Sequence, residues 1–374
     1  MHILYTDRHK LHNTDGLLIE GQPASHPEVP ARAEIILSAA RAASLGPVSA
    51  PTDHGLDPVL AVHDPSFVEF LRTVHARNAE YYRQAVPFAP NTFAPRSARR
   101  GPGPNYWSQA GYYAFGVGSP ILEGTWQAAY WSAQCALTAA DFVRQGERVV
   151  YALCRPPGHH AHADLYGGFC YLNNAAIAAH HLQSSDAEPT SADVGLNAES
   201  DAHASRLRPT SGDVGLRRKE VKVAILDVDY HHGNGTQEIF YSDASVLYCS
   251  LHAHPDDDYP YYWGGADERG EGPGVGFNRN WPLPQQADDT AFLAALDEAL
   301  AAIREFGPRY LIISAGFDIA VGDPVGGFCV TTEGIREIGR RIAGLQLPTL
   351  IVQEGGYLLE RLGENAVAFL SAFA

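Results

Sequence analysis

Five short apolar runs, each closed by polar residues, most constrain what this chain can fold into. They are Arg148–Cys154 (RVVYALC), Val221–Asp229 (VKVAILDVD), Val246–Leu251 (VLYCSL), Arg309–Phe317 (RYLIISAGF) and Pro348–Val352 (PTLIV). Near-continuous β-branched and aliphatic character over so few residues is the pattern of strands buried on both faces. Alanine- and leucine-rich helical stretches alternate with them: Gly124–Arg144, Asn173–Gln183, Thr290–Phe306, Thr332–Leu345 and Leu358 onward. This alternation predicts an α/β fold, a parallel sheet with helices on both sides, in one domain covering residues 1–374. Apolar residues make up 45% of the chain, enough for such a core.

Two segments break the alternation. Residues 184–220 are rich in Ser, Asp, Ala and Pro and carry an imperfect repeat, PTSADVGL from Pro189 against PTSGDVGL from Pro209. The composition reads as a low-complexity insert between a helix and the next strand. Residues 84–123 hold many Pro, Gly and aromatic residues plus the basic cluster Arg96, Arg99 and Arg100. A loop of that length in a compact domain is usually functional, here as a substrate rim or a subunit contact.

Charge removes whole classes of partner. The chain carries 43 acidic against 27 basic residues, a net charge of −16, and only Lys10, Lys219 and Lys222 are lysines. Nucleic-acid binding needs phosphate-neutralising cations, so nucleic acid is not expected; a small cationic molecule or a basic peptide is. The first twenty residues show no apolar leader core, and no run is long enough to span a bilayer. The five cysteines are widely spaced without a CxxC pair, which suits free thiols in a reducing, cytoplasmic setting.

The chemistry concentrates at strand ends. In Asp227-Val-Asp-Tyr-His-His-Gly-Asn-Gly-Thr236, extended backbone places Asp227, Asp229 and His231 on one face, at the carboxyl end of a parallel strand. Two acids and an imidazole there are costly to bury unpaired, so Asp229 and His231 read as metal ligands. Asp318, directly after the run ending at Phe317, has the placement of a third ligand. An Asp–His–Asp set leaves coordination positions open for water and substrate. Its two negative charges nearly cancel a divalent cation, so a separate general base is expected. Arg155-Pro-Pro-Gly-His-His-Ala161 supplies two candidates, His159 and His160, with Asp227 and Asn234 as partners that would give the rings different basicities. His180-His181 lies in a helical run without such context and reads as structural. Tyr357, in Glu354-Gly-Gly-Tyr357, is either a packing residue or an oxyanion donor.

At these residues the sequence resembles the histone deacetylase superfamily, in particular its bacterial acetylpolyamine amidohydrolase branch. RPPGHHA (155–161), GGFCYLNN (167–174), DVDYHHGNGT (227–236), the Asp318 segment and EGGY (354–357) match in order. The resemblance implies the arginase–deacetylase fold with an eight-stranded parallel sheet. It implies one zinc per chain on Asp229, His231 and Asp318, where ferrous iron also fits. His160 would be the general base and acid, His159 its electrostatic partner, and Tyr357 the oxyanion donor, with Asp227 and Asn234 holding the histidines. Gly168, Phe169 and, after Ser250-Leu251-His252, Tyr259 correspond to the substrate-binding walls. Asp227 and Ser250, with the carbonyls of Asp229, His231 and Leu251, correspond to a structural potassium site. Arg32 corresponds to the acetate channel, and the 84–123 loop to a homodimer contact that narrows the entrance. Where that branch receives a distal ammonium on glutamates, this chain has Trp107 and Gly118. Asp256, Asp257 and Asp258, beside Tyr259, are either a replacement cation site or a solvated turn.

The implied activity is a zinc-dependent amidohydrolase that removes acetyl or another short acyl group from small extended amines. The alternatives are a protein lysine deacetylase acting on acetyl-lysine, a ureohydrolase of the same fold with a binuclear site, and a binding module without turnover. Every catalytic position of the first reading is filled. One prediction follows from the insert alone. Replacing residues 184–220 by a short Gly-Ser linker is expected to leave kcat within a few-fold of wild type, whereas loss of solubility or bound metal would show that the segment belongs to the core.

Overall fold

The computed structural model describes residues 1–15, 18–19, 22–23, 26–95, 101–185 and 221–374. Arg96, Arg99, Arg100 and both copies of the repeat in the insert lie outside the described residues. β1 (His2–Leu4) opens the chain, followed by β2 (Leu18–Ile19) and β3 (Gln22–Pro23), which pair antiparallel. β4 (Val48–Ser49), β5 (Val149–Ala152), β6 (Val223–Asp227), β7 (Val246–Ala253), β8 (Asn278–Leu283), β9 (Tyr310–Ala315) and β10 (Thr349–Gln353) complete the set. Eight of these strands form one sheet in the order β4-β1-β5-β10-β9-β6-β7-β8. Every neighbouring pair is parallel. The five apolar runs become β5, β6, β7, β9 and β10, all buried along their whole length.

Helices clothe both faces. They are α1 (Ala31–Ala42), α2 (Asp57–Leu60), α3 (Pro65–Tyr82), α4 (Tyr106–Tyr113), α5 (Thr125–Arg144), α6 (Asn174–Ser185), α7 (Asn234–Phe240), α8 (Asp289–Phe306), α9 (Thr332–Ala343) and α10 (Leu359–Leu370). The two-residue period of a strand sorts the side chains between them. Leu311, Ile313 and Ala315 of β9 join the core under α1, α8, α9 and α10. Tyr310 and Ile312 join the core under α5 and α6. A third cluster gathers α3, α4 and Phe88, Ile121, Tyr166 and Tyr171. Local signals set the helix starts. Asp64 accepts from the N–H groups of Ser66 and Phe67 ahead of Pro65, Asp288 caps α8 through Ala291 and Thr331 caps α9 through Gly334.

Two expectations are corrected. The run Val221–Asp229 does not stay extended to its end: β6 stops at Asp227, and Asp229 and His231 lie on the loop that follows. The two-residue strand period therefore does not reach them, and the loop itself brings them together. The 84–123 segment is not a bare loop. It contains α4, and a bridge between Phe88 and Ile121 closes its base. Trp107 lies on α4 with its ring centroid 5.2 Å from that of Phe88, in an aromatic packing cluster.

Ile313, fully buried on β9, pairs with Ile351 on one side and Leu226 on the other. Ile313→Ala is expected to lower unfolding free energy by about 2–5 kcal/mol. A urea titration should show this as a lower midpoint at unchanged slope; a change under about 1 kcal/mol would mean the site collapses around the deletion.

Candidate active site

β5, β10, β9 and β6 are consecutive neighbours at the centre of the sheet. Their carboxyl ends lead into Arg155–His160, Glu354–Tyr357, Gly316–Asp318 and Val228–His231. Four loops thus meet where ligands bind in sheets of this kind.

Asp229, His231 and Asp318 converge. Asp229 Oδ2 accepts the Gly355 N–H at 2.8 Å and Asp318 Oδ1 accepts the Tyr230 N–H at 3.1 Å, which pins both carboxylates. Their other oxygens lie 3.3 and 3.2 Å from His231 Nδ1. Glycine is needed at the contact: a Cβ on Gly355 would stand 2.3 Å from Asp318 Oδ2 and 2.6 Å from Asp229 Oδ2. All three side chains are buried. Burial and the Asp229 charge push the Asp318 carboxyl up to about 7. Against burial, the two carboxylates hold His231 up to about 10. Two buried carboxylates around one imidazole call for a cation, and a mixed N/O set of this size fits one divalent metal ion.

The paired histidines have opposite surroundings. His159 Nδ1–H donates to Asp227 Oδ2 at 3.1 Å, and Asp227 also accepts from the Tyr248 hydroxyl at 3.0 Å. Against the effect of burial, Asp229 and Asp227 raise His159 to about 10. His160 Nδ1–H donates to a neutral amide, Asn234 Oδ1, at 2.7 Å. Burial and the neighbouring His159 charge push His160 well below the ordinary histidine range. Asn234 Nδ2 in turn donates to His162 Nε2 at 2.9 Å, which fixes the amide so that its oxygen faces His160. Glu354 Oε2 accepts the N–H groups of Gly158 and His159 at 2.7 and 3.2 Å and so holds the histidine loop.

Aromatic rings flank the pair. Tyr259 stands edge-on to His160 with ring centroids 5.0 Å apart. Gly168 permits that approach, since a Cβ there would lie 2.3 Å from His160 Cδ2 and its φ is +56°. Phe169 sits between His26, at 4.8 Å, and Tyr357, at 5.8 Å. Arg32 lies buried 4.5 Å above the Tyr357 ring and donates to the carbonyls of Gly356 and Glu354 and to Glu28 Oε1.

The other expected residues are placed as follows. Asp227 and Ser250 are register partners on β6 and β7, next to Leu251. Gly118 lies at the rim, its carbonyl accepting from His26 at 3.1 Å, while Trp107 packs away on α4. Asp258 is engaged by the Tyr230 hydroxyl at 2.6 Å and the Tyr259 N–H at 2.8 Å, whereas Asp256 and Asp257 face solvent. The acidic triplet is therefore a turn that positions Tyr259. Glu354, His162, His26, Glu28 and Arg155 were not singled out by position. Of these, Glu354 and Arg155 stand inside motifs already quoted, which is the signal the sequence offers.

The histone deacetylase domain matches residues 26–189 and 214–373 of this chain. The sequence is 43% identical over 373 residues to acetylpolyamine amidohydrolase 1 of Pseudomonas aeruginosa, covering 99% of this chain and 98% of that one. It is 36% identical over 376 residues to the acetylpolyamine amidohydrolase of Mycoplana ramosa, covering 100% of each. The crystal structure of an acetylpolyamine aminohydrolase from Burkholderia pseudomallei superposes with a TM-score of 0.85 at 40% identity, covering 100% of this chain and 98% of that chain. With the eight-stranded parallel sheet and the strand-end site, these likenesses place the chain in the histone deacetylase family, on its acetylpolyamine amidohydrolase branch.

Proposed function

We propose that this protein hydrolyses the amide bond of small acetylated amines, acetylpolyamines first among them. The observation that carries the reading is the opposite partnering of two buried imidazoles, one on a carboxylate and one on an amide, beside the Asp229–His231–Asp318 set. Those three residues would hold one zinc ion, and the same donors accept ferrous iron. When bound, the ion supplies a Lewis acid that polarises the amide carbonyl and acidifies water. His160, neutral and protonated at Nδ1, has Nε2 free to take a proton from the attacking water and return one to the leaving amine. His159, kept cationic by Asp227, stabilises the negative charge that develops. Tyr357 donates a hydrogen bond to the oxyanion, and Gly168, Phe169 and Tyr259 confine the acyl chain.

Supporting roles follow. Asp227 and Ser250, with the carbonyls of Asp229, His231 and Leu251, form a potassium site; a fully buried carboxylate beside a hydroxyl suits a monovalent cation. Arg32, under the Tyr357 turn, marks the exit of acetate. Residues 1–374 act as one catalytic domain. The 84–123 region forms a homodimer contact, supported by the exposed Tyr81, Tyr82, Phe93 and Val117 on and beside it. No helix among the described residues is long and apolar enough to cross a membrane, and the free cysteines suit the cytoplasm.

Rates on acetylputrescine, acetylspermidine and an acetyl-lysine peptide, with and without chelator, test the reading. Activity should vanish on chelation and kcat/KM should be highest on a polyamine; a faster peptide would transfer the assignment to protein lysine deacetylation. Asp318→Ala should lower metal content by one ion per chain and abolish turnover while the fold survives. Unchanged metal content by atomic emission would refute the ligand set. Tyr357→Phe keeps the ring against Phe169, so packing is preserved. Loss of one oxyanion donor should nevertheless reduce kcat by ~10²–10³ with KM nearly unchanged. A variant retaining more than about a third of wild-type kcat would return Tyr357 to a packing role.

A further inference from the structure

His181, the second of two adjacent histidines without motif context, is not idle on its helix. Its Nε2 lies 2.9 Å from Asp141 Oδ1, on α5. His54, on the segment after β4, approaches the other carboxylate oxygen, Nε2 to Oδ2, also at 2.9 Å. The donor atoms of all three residues lie within 4.8 Å of one another. The two rings stand 5.5 Å apart at 82°, edge to face, with one Nε2 on each oxygen of the Asp141 carboxylate. The cluster is remote from the active site. Asp141 precedes the turn that enters β5, and Gln183, near the end of α6, donates to Val221 and Ser245, just ahead of β6 and β7. Both helices therefore end near the amino ends of the strands, whereas the active site is at the carboxyl ends.

The hydrogen bonding of His54 places its Nε2 where a cation can sit. Its Nδ1 faces two acceptors, the Thr52 carbonyl and Gln134 Oε1, each at 3.2 Å. Its Nε2 faces the Asp141 carboxylate. A neutral imidazole has one N–H, so these acceptors are satisfied only when Nε2 carries a proton, which the Asp141 carboxylate favours by raising His54 above the ordinary histidine range, or a metal ion in the proton's place. Nδ1–H then donates to the carbonyl oxygens and Nε2 gives its lone pair to the ion, as a histidine ligand ordinarily does. The side chains of His54, Asp141 and His181 are 13, 21 and 15% exposed, sheltered yet reachable by an ion. Asp141 lies far below the ordinary carboxylate range because, against burial, both imidazoles favour its charge. Arg144 Nη2 also donates to Asp141 Oδ1, at 2.8 Å, and competes with a bound ion.

We propose that His54, Asp141 and His181 form a second, non-catalytic site for a divalent transition-metal ion such as zinc, fastening the segment after β4 to the ends of α5 and α6. Imidazole and carboxylate donors with open positions suit zinc and its neighbours in the first transition row. The ion stabilises the folded state by binding it and not the unfolded chain.

The test counts zinc per chain by atomic emission after dialysis of the full-length enzyme against micromolar free zinc. Asp141→Asn and His181→Gln should each hold one ion fewer than wild type while kcat on an acetylated substrate stays at the wild-type value. Equal zinc content in wild type and both variants overturns the proposal. Loss of the ion together with activity overturns it as well, because the ion counted would then be the catalytic one. A second measurement is independent of turnover. Zinc should still raise the melting temperature of Asp318→Ala, which lacks the catalytic ligand, and should not raise that of Asp318→Ala combined with Asp141→Asn. The same rise in both would also overturn the site.

Discussion

Two carboxylates, Asp229 and Asp318, are buried within reach of one imidazole at the ends of adjacent strands, and the centre of the molecule is arranged around that fact. Like charges cannot share a dry site without a cation, and removing one partner of such a group leaves the other uncompensated. The sheet answers with backbone donors: the Gly355 and Tyr230 N–H groups each take one carboxylate oxygen. It answers also with missing side chains. A Cβ at Gly316 would stand 2.0 Å from Asp229 Oδ2, so the loop after β9 can close over the carboxylate only as glycine. Parallel strands of unequal length end together here, and four loops share one set of charges.

A second ring of buried charge keeps those loops in place. Glu28 lies between two buried guanidiniums, with Oε1 3.0 Å from Arg32 Nη1 and 2.7 Å from Arg155 Nε. Against burial, Arg155 and Arg32 hold the Glu28 carboxyl ionised. Arg155 also donates to the carbonyls of His9 and His12, and Arg32 to those of Glu354 and Gly356. One acid and two bases thus tie the amino-terminal segment to the histidine loop and to the turn that carries Tyr357. Glu354 closes the ring from the other side through Gly158 and His159. The two imidazoles differ in basicity because this frame holds one against Asp227 and the other against Asn234.

Much of this was legible in the sequence, and the exceptions have physical causes. The strands buried on both faces announce themselves because nearly every position is apolar, and each of the five runs agrees with its strand within two residues at either end. β8 escaped because an edge strand reading NRNWPL meets the sheet on one side only and keeps polar residues such as Asn278 and Asn280. β1 and β4 are too short to show a period. Asp229, His231 and Asp318 come within reach of one another, but Asp229 and His231 converge through a loop, not through strand alternation. Interactions of residues far apart in sequence, such as Asn234 with His162 or Glu28 with Arg155, leave no local trace.

The entrance shows how far the chain departs from recognition by a fixed counter-charge. Trp107 is turned into the packing of α4, Gly118 adds no side chain beside Phe169, and Asp258 is occupied by Tyr230 and Tyr259. Among the described residues aromatic rings also gather on this side of the paired histidines: Phe115 stacks on Tyr259 at 6.2 Å and meets Trp263 at 6.0 Å, and Trp263 lies 5.4 Å from His162. Aromatic faces attract ammonium groups without fixing their spacing, each contact contributing about 0.5–2 kcal/mol as water is excluded. A net charge of −16 attracts cations at long range whatever the local carboxylates do. At the inner end Tyr259 stands edge-on to His160, and only a glycine at 168 leaves room for that approach.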